Sequence, residues 1–436
     1  MKLDASQQRA VSLVLTDPFG IVTGGPGTGK TFSLRTALDE LDERGRSYVL
    51  AAPTGKAARR MQEATGRDAL TVHRLLEYDP RGRGYGKSGG FLRTSEEPLE
   101  VDLVVVDESS MLDVELAAAL FDACRTFGEG KRTRLVLVGD KDQLPPVGAG
   151  RVFADLVESG LVPVALLDTL HRSAAASWVA TQSREVLAGR APSLEQRADF
   201  RFVEHDDRTD AVAATVALAV SEGARGQVIV PQNTGPAGAE TLNAAIQRRV
   251  TPADAPGWKV RGQQLRRGDR VIQTRNDYQL ADGRGVMNGE IGTVEAVSSD
   301  TMKVRFEADA EGGGFAVEYA RDAARSLRLA YALTCHKMQG SEVPWAIVLA
   351  HSTHTRMLTR GWLYTAVTRA REGVVIVGDR LAMQRAVKNA SDAKRNSGLV
   401  ARLREMRAAS ATPATNEVGA SAAHGGDSNS EGEEAA

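Results

Sequence analysis

Gly24-Gly25-Pro26-Gly27-Thr28-Gly29-Lys30-Thr31 follows the apolar run Gly20–Thr23 and precedes a stretch in which Leu34, Leu38 and Leu41 recur at helical spacing. Strand, glycine-rich loop and helix, in that order, are the context that a phosphate-binding loop requires. The glycines let the backbone curl so that successive N–H groups point inward, and the positive end of the following helix adds to that field. Lys30 supplies a point charge for the β- and γ-phosphates, and the Thr31 hydroxyl can ligate Mg²⁺. Gly24 to Thr31 are therefore assigned to binding a nucleoside triphosphate. What its hydrolysis drives must be read from the rest of the chain.

Downstream, Asp107-Glu108 ends the apolar run Leu103–Val106. Two acids at the carboxyl end of a strand stand where α/β folds bind ligands. Asp107 is placed to hold Mg²⁺, usually through water, and Glu108 to orient and deprotonate an attacking water. Taken alone, such a pair is equally well a surface turn. A second strand ends in the stretch Val138–Gly150, where Gln143 can contact a γ-phosphate and change partner after cleavage. Pro145-Pro146 then fix the backbone and remove two donors. By itself this stretch reads as a rigid turn with a surface glutamine.

The chain has 436 residues, 42% hydrophobic and 25% charged, enough for two or three domains with sizeable cores. No apolar run is long enough for a membrane span, and Met1–Asp4 has no signal-like apolar region. Two cysteines, Cys124 and Cys335, cannot make a disulfide framework or a structural zinc site, so a reducing, cytoplasmic setting is expected. From Ala408 onward there are five acids and no Lys or Arg, so a net charge of −1 leaves the body mildly basic. Residues 408–436 are expected to form a disordered acidic tail, either a solubilising end or a docking segment for a protein partner.

The body reads as α/β. Val104–Val106, Leu135–Val138 and Val374–Val377 are short β-branched runs of the kind buried on both faces of a parallel sheet. The echo between LVLVGD (Leu135–Asp140) and VVIVGD (Val374–Asp379) suggests two similar halves. Between Leu265 and Tyr319 short alternating segments separated by Gly, Asn and Asp predict a small β-barrel or meander inserted in the second half. Tyr78–Pro98, rich in glycine and basic residues, is too long for an ordinary loop.

With these stretches in order, the chain resembles the superfamily 1 helicases, and within them the RecD-like branch. The resemblance rests on Leu3–Gln7, GGPGTGKT, AAPTGKAARRM (Ala51–Met61), TVHRLL (Thr71–Leu76), VVVDESSML, LVGDKDQLPPVGAG, LHRS (Leu170–Ser173), YALTCHKMQGSE (Tyr331–Glu342) and LYTAVTRAR (Leu363–Arg371). It implies two RecA-like P-loop domains of the α/β class, residues 1–163 and 164–407. The first would carry a β-hairpin insert near 78–98 and the second a small SH3-like β-barrel insert near 265–320. It implies Gln7 as the reader of adenine, hence ATP, and Arg172 and Arg369 as arginines that reach the γ-phosphate from the second half. Catalytic roles then fall to Lys30, Glu108, Gln143, Arg172 and Arg369. Thr54, His73, Thr334, His336 and Lys337 would face the sugar-phosphate backbone.

By the same resemblance the Tyr78–Pro98 segment occupies the place of a strand-separating pin; the alternative is a floppy loop. There Arg81, Arg83, Lys87 and Arg93 could clasp phosphates, while Tyr85 and Phe91 stack on an end base pair. Cys335 and Met338 depart from the usual small residues of their motif and are expected to repack locally. No extra domain is expected ahead of Leu3. The resemblance implies a monomeric motor on single-stranded DNA and single-strand/duplex junctions, travelling 5′ to 3′ and unwinding duplex. The alternatives are a translocase that displaces bound protein without unwinding, and a nucleotide-gated DNA-binding scaffold without turnover.

Overall fold

The computed structural model describes residues 3–79, 90–125, 133–170, 177–281, 284–306 and 314–411. Asp4 and Gln7 close a capping box at the start of α1 (Ala5–Thr16): the Asp4 carboxylate accepts from the Gln7 amide at 2.9 Å, and Gln7 Oε1 accepts from the Asp4 amide at 3.1 Å. β1 (Phe19–Gly24), buried along its whole length, leads through the glycine loop into α2 (Lys30–Glu43). There follow β2 (Tyr48–Ala52), α3 (Gly55–Thr65), β3 (Ala69–Thr71) and the short α4 (Val72–Leu75). The paired β4 (Tyr78–Asp79) and β5 (Gly90–Phe91) come next, then β6 (Leu103–Val106), α5 (Val114–Ala123), β7 (Arg134–Gly139), α6 (Val152–Ser159) and β8 (Val164–Leu167). The first sheet runs β3-β2-β6-β7-β1-β8, all parallel, with helices against both faces.

The second lobe holds α7 (Trp178–Leu187), β9 (Phe200–Glu204), α8 (Arg208–Glu222), β10 (Gly226–Val230) and α9 (Ala239–Val250). It continues through the hairpin β11 (Gly257–Val260) and β12 (Gln263–Arg266), then β13 (Arg270–Gln273), β14 (Ile291–Val297), β15 (Met302–Phe306), β16 (Ala316–Tyr319) and β17 (Leu327–Leu329). β18 (Ala332–Thr334), β19 (Val343–Ala350), α10 (Arg360–Val367), β20 (Ala370–Gly378), α11 (Arg380–Lys388) and α12 (Leu399–Ala411) complete it. Its main sheet, β18-β10-β19-β20-β9, is parallel, and the insert is an antiparallel sheet in the order β16-β15-β14-β13-β17. The two valine-rich runs of the internal echo are β7 and β20, central strands of the two parallel sheets, as β-branched runs buried on both faces require.

Three expected boundaries shift. β8 pairs with β1 in the first sheet, so that lobe extends past residue 163 to Leu167: without β8, β1 would be an open edge beside the glycine loop. The insert extends beyond 320, because β17 pairs with β13 after a 3₁₀ turn at Ala323–Ser326. The chain end returns to the first lobe. α12 packs on α6, and its Leu399 and Leu403 lie against the core that includes Phe153 and Leu156. Helix also continues through Ala411, past the expected start of the tail at 408; residues 412–436 lie outside the described residues.

Candidate nucleotide cleft and nucleic-acid face

The glycine loop is built by backbone geometry that only glycine takes without strain. Gly27 and Gly29 have φ of 74° and 88°. A Cβ at Gly24 would stand 2.5 Å from the Leu167 carbonyl oxygen, so β8 holds the loop from outside. Lys30 Nζ donates to the Gly24 and Gly25 carbonyls at 2.5 and 3.1 Å, and the Thr28 hydroxyl to the Gly25 carbonyl at 2.8 Å. Thr31 is exposed at the start of α2. Gln7 is buried, with its amide oxygen committed to the helix cap.

β6 delivers Asp107 and Glu108 opposite this loop. Glu108 sits in the left-handed region at φ 50°, ψ 35°, a conformation that costs a non-glycine residue and is retained at sites that need it. Its backbone N–H donates to Asp107 Oδ1 at 2.8 Å. Burial first, then the Glu108 charge, pushes the Asp107 carboxyl up to about 6, against the pull of Lys30 and Arg60. A half-buried carboxylate with so few donors, lining the same cavity as an exposed threonine, offers hard oxygens that suit a divalent cation.

Gln143 donates weakly to Asp140 Oδ2 at 3.4 Å, while its Oε1 is buried without a hydrogen-bond partner among the described residues. Such an atom marks a place where a ligand or water belongs.

The second lobe closes the cleft. Arg369 is 3% exposed; its Nε donates to the Thr365 carbonyl at 3.1 Å and its Nη1 to the Ser341 carbonyl at 3.2 Å. Among the described residues it forms no ion pair with a carboxylate. It shares a cavity of about 250 Å³ with Lys30, Thr31, Asp107, Glu108 and Gln143. A buried guanidinium held only by neutral groups calls for an anion beside it. A second cavity, of about 470 Å³, shares Gly25, Pro26 and Gly27 with the first and is walled by Val179, Tyr364 and Arg371. Arg172 lies outside the described residues.

Sequence reasoning missed three residues of this cleft. Arg60, one turn beyond Lys56 on α3, points into the same cavity and pairs with Glu342 of the second lobe at 2.5 Å. Burial alone would lower the Arg60 pKa, yet Glu342, Glu108 and Asp107 hold it above its ordinary value. Tyr364 on α10 donates to Asp140 at 2.7 Å. Arg60, Glu342 and Tyr364 all stand inside quoted motifs, so the available signal was motif membership; no local pattern assigned them a partner.

The expected nucleic-acid residues fall into two groups. At the seam, the Thr54 hydroxyl caps α3 by accepting from the Ala57 amide at 3.2 Å, and Gly340 approaches so closely that a Cβ would stand 3.2 Å from Ala57. Thr334 is buried at the head of the 3₁₀ turn Cys335–Met338, on which His336 is half-buried and Lys337 exposed. Away from the seam, His73 meets Tyr78 edge-on at 5.5 Å and Phe91 at 5.8 Å. Phe91 is half-buried against the first-lobe core at the base of the β4–β5 pair, and Arg93 is held by Glu77 at 2.7 Å. Arg81, Arg83, Tyr85 and Lys87 lie outside the described residues.

Family comparisons agree with this arrangement. The AAA domain model matches residues 2–212, the ATP-dependent RecD-like DNA helicase SH3 domain model residues 242–306, and the UvrD-like helicase C-terminal domain model residues 329–377. The RecBCD enzyme subunit RecD of Mycolicibacterium smegmatis is 34% identical over 91% of this chain and 74% of that protein. The chain belongs to the RecD-like helicase family. The ATP-dependent RecD2 DNA helicase of Deinococcus radiodurans is 37% identical over 88% of this chain; the RecD-like chain spans only 50% of that relative's length. The Pif1 helicase from Bacteroides, solved with ADP-AlF3 and single-stranded DNA, shares the fold with a TM-score of 0.57 at 20% identity, covering 94% of this chain and 98% of that one. The α/β architecture expected from sequence, two P-loop-type lobes with a barrel insert in the second, is the fold of this family. No helix among the described residues is long and apolar enough to cross a membrane.

Proposed function

We propose that this RecD-like chain is an ATP-dependent DNA helicase that travels 5′ to 3′ along single-stranded DNA and opens duplex ahead of it. The observation that carries the reading is Arg369, a buried second-lobe guanidinium whose partners among the described residues are carbonyls and a hydroxyl, sharing one cavity with Lys30, Asp107 and Glu108.

The triphosphate lies along the glycine loop, with its nucleoside in the larger adjoining cavity. Lys30 exchanges the Gly24 and Gly25 carbonyls for phosphate oxygens. Thr31 and Asp107 would hold Mg²⁺, which supplies charge neutralisation at the β- and γ-phosphates. Glu108 takes the proton of the attacking water, and Gln143 uses its unpartnered oxygen to sense whether the γ-phosphate is attached. Arg369 and Arg172 neutralise the transferring phosphoryl group, which makes turnover depend on the lobes being closed. Thr54 and His73 on one lobe, and Thr334, His336 and Lys337 on the other, hold the strand backbone. Closure and release of the lobes then become travel along it.

Duplexes with a 5′ or a 3′ single-stranded overhang test the reading. ATP-dependent unwinding of the 5′-tailed substrate alone is expected. Unwinding confined to the 3′-tailed substrate, or ATP turnover without unwinding of either, contradicts it.

A further inference from the structure

After α11 the chain crosses from the second lobe to the first and touches both sides of the motor. A 3₁₀ turn at Ser391–Lys394 carries Asp392. Arg395 Nη1 donates to the Gly148 and Gly150 carbonyls at 2.7 and 3.0 Å, at the end of the stretch that begins with Asp140 and Gln143. The Ser397 hydroxyl donates to Asp155 on α6, and α12 then seats on that helix. The second lobe thus grips the Gln143 stretch through Arg395.

Asp392 packs against α10 of the second lobe. Its carboxylate lies against the first turn of α10, where a Cβ on Gly361 would stand 2.9 Å from Oδ2, and α10 meets the His336 turn through the Cys335 thiol, which donates to the Trp362 carbonyl at 3.8 Å. Its Oδ2 is buried with no hydrogen-bond partner among the described residues. Asp392 lines a cavity of about 150 Å³, to which Gln143 and Ser110 also contribute. Gln143 Oε1 and Ser110 Oγ are likewise buried and unpartnered. Three residues that each carry an orphaned polar atom line this one space, which is large enough for several waters. Asp392 thus shares a cavity with Gln143 on one side and, through α10, reaches the turn that carries His336 on the other.

We propose that Asp392 and Arg395 are positioning residues that transmit occupancy of the nucleic-acid face at His336 to Gln143 at the γ-phosphate. This rests on the motor reading above. Neither residue touches nucleotide. Asp392 acts through the cavity it shares with Gln143, and Arg395 by fixing the far end of the same loop.

The test measures ATP turnover of the full chain with and without single-stranded oligonucleotide, together with oligonucleotide affinity. It is made on wild type, Asp392→Asn, Arg395→Gln and the charge-keeping Arg395→Lys. Basal turnover and oligonucleotide Kd are expected to stay within about threefold of wild type, while stimulation by DNA falls about tenfold in the first two variants. Arg395→Lys should recover part of it. Wild-type stimulation in both Asp392→Asn and Arg395→Gln overturns the inference alone, as does an equal loss of basal and stimulated turnover. A wild-type protein whose turnover ignores DNA overturns the motor reading and the inference with it.

Discussion

The Tyr364 hydroxyl donates a 2.7 Å hydrogen bond to Asp140 Oδ2 across the seam between the lobes, and both residues are buried. Burial, then the Asp140 charge, holds the Tyr364 phenol well above its ordinary value, so it remains a donor at any working pH. Tyr364 also lies over the glycine loop, where a Cβ on Gly25 would stand 3.0 Å from its hydroxyl. Tyr364→Phe keeps the ring and strips a donor from a buried carboxylate, at a cost of about 1.5–3 kcal/mol. The expected outcome is a lower denaturation midpoint and a DNA-stimulated kcat reduced about tenfold or more. An unchanged kcat would show that this contact does not govern closure.

Arg60 and Glu342 make a second bridge over the same cleft, but one more open to solvent. Screening limits such a pair to about 0.2–1 kcal/mol. A double-mutant cycle on Arg60→Ala and Glu342→Ala, read in ATP turnover, is expected to show non-additivity of that size. Strict additivity would mean that the residues act separately.

Cys335 and Cys124 are both buried, and burial pushes each thiol up to about 12. At pH 8 only about one thiol in ten thousand would be ionised. Neither should react with iodoacetamide in the native protein within minutes, and both should react after denaturation. Rapid native labelling of Cys335 would contradict its burial.

The β4–β5 pair ends in a cluster of His73, Tyr78 and Phe91, with Tyr78 and Phe91 centroids 5.2 Å apart. Removing Gly82–Gly90 is expected to reduce duplex unwinding far more than single-strand-stimulated ATP turnover. Equal loss of both would assign the segment to folding rather than strand separation.

Much of the cleft could be read in advance because its chemistry is local. The glycine loop, the acids at the end of β6 and Gln143 each sit at a strand end marked by an apolar run. The barrel was visible in its alternation, but β17 was not, since three residues carry no period. β8 was assigned to the wrong lobe because its exposed–buried alternation reflects an edge strand, whose place is decided by β1 rather than by its own residues. Arg60, Glu342, Asp392 and Arg395 became meaningful only when partners distant in sequence met at the seam. No pattern within one segment encodes such a pairing. Phe91 was expected to stack on a base pair, and its half-buried position at the hairpin base followed from packing against the first-lobe core.

Closure of one lobe's arginine onto a triphosphate held by the other is the centre of this account, and Arg369→Ala tests it most directly. The measurement is ATP turnover at saturating single-stranded DNA, alongside nucleotide Kd. The account predicts kcat lower by about a thousandfold with Kd little changed. Turnover near the wild-type rate would contradict it.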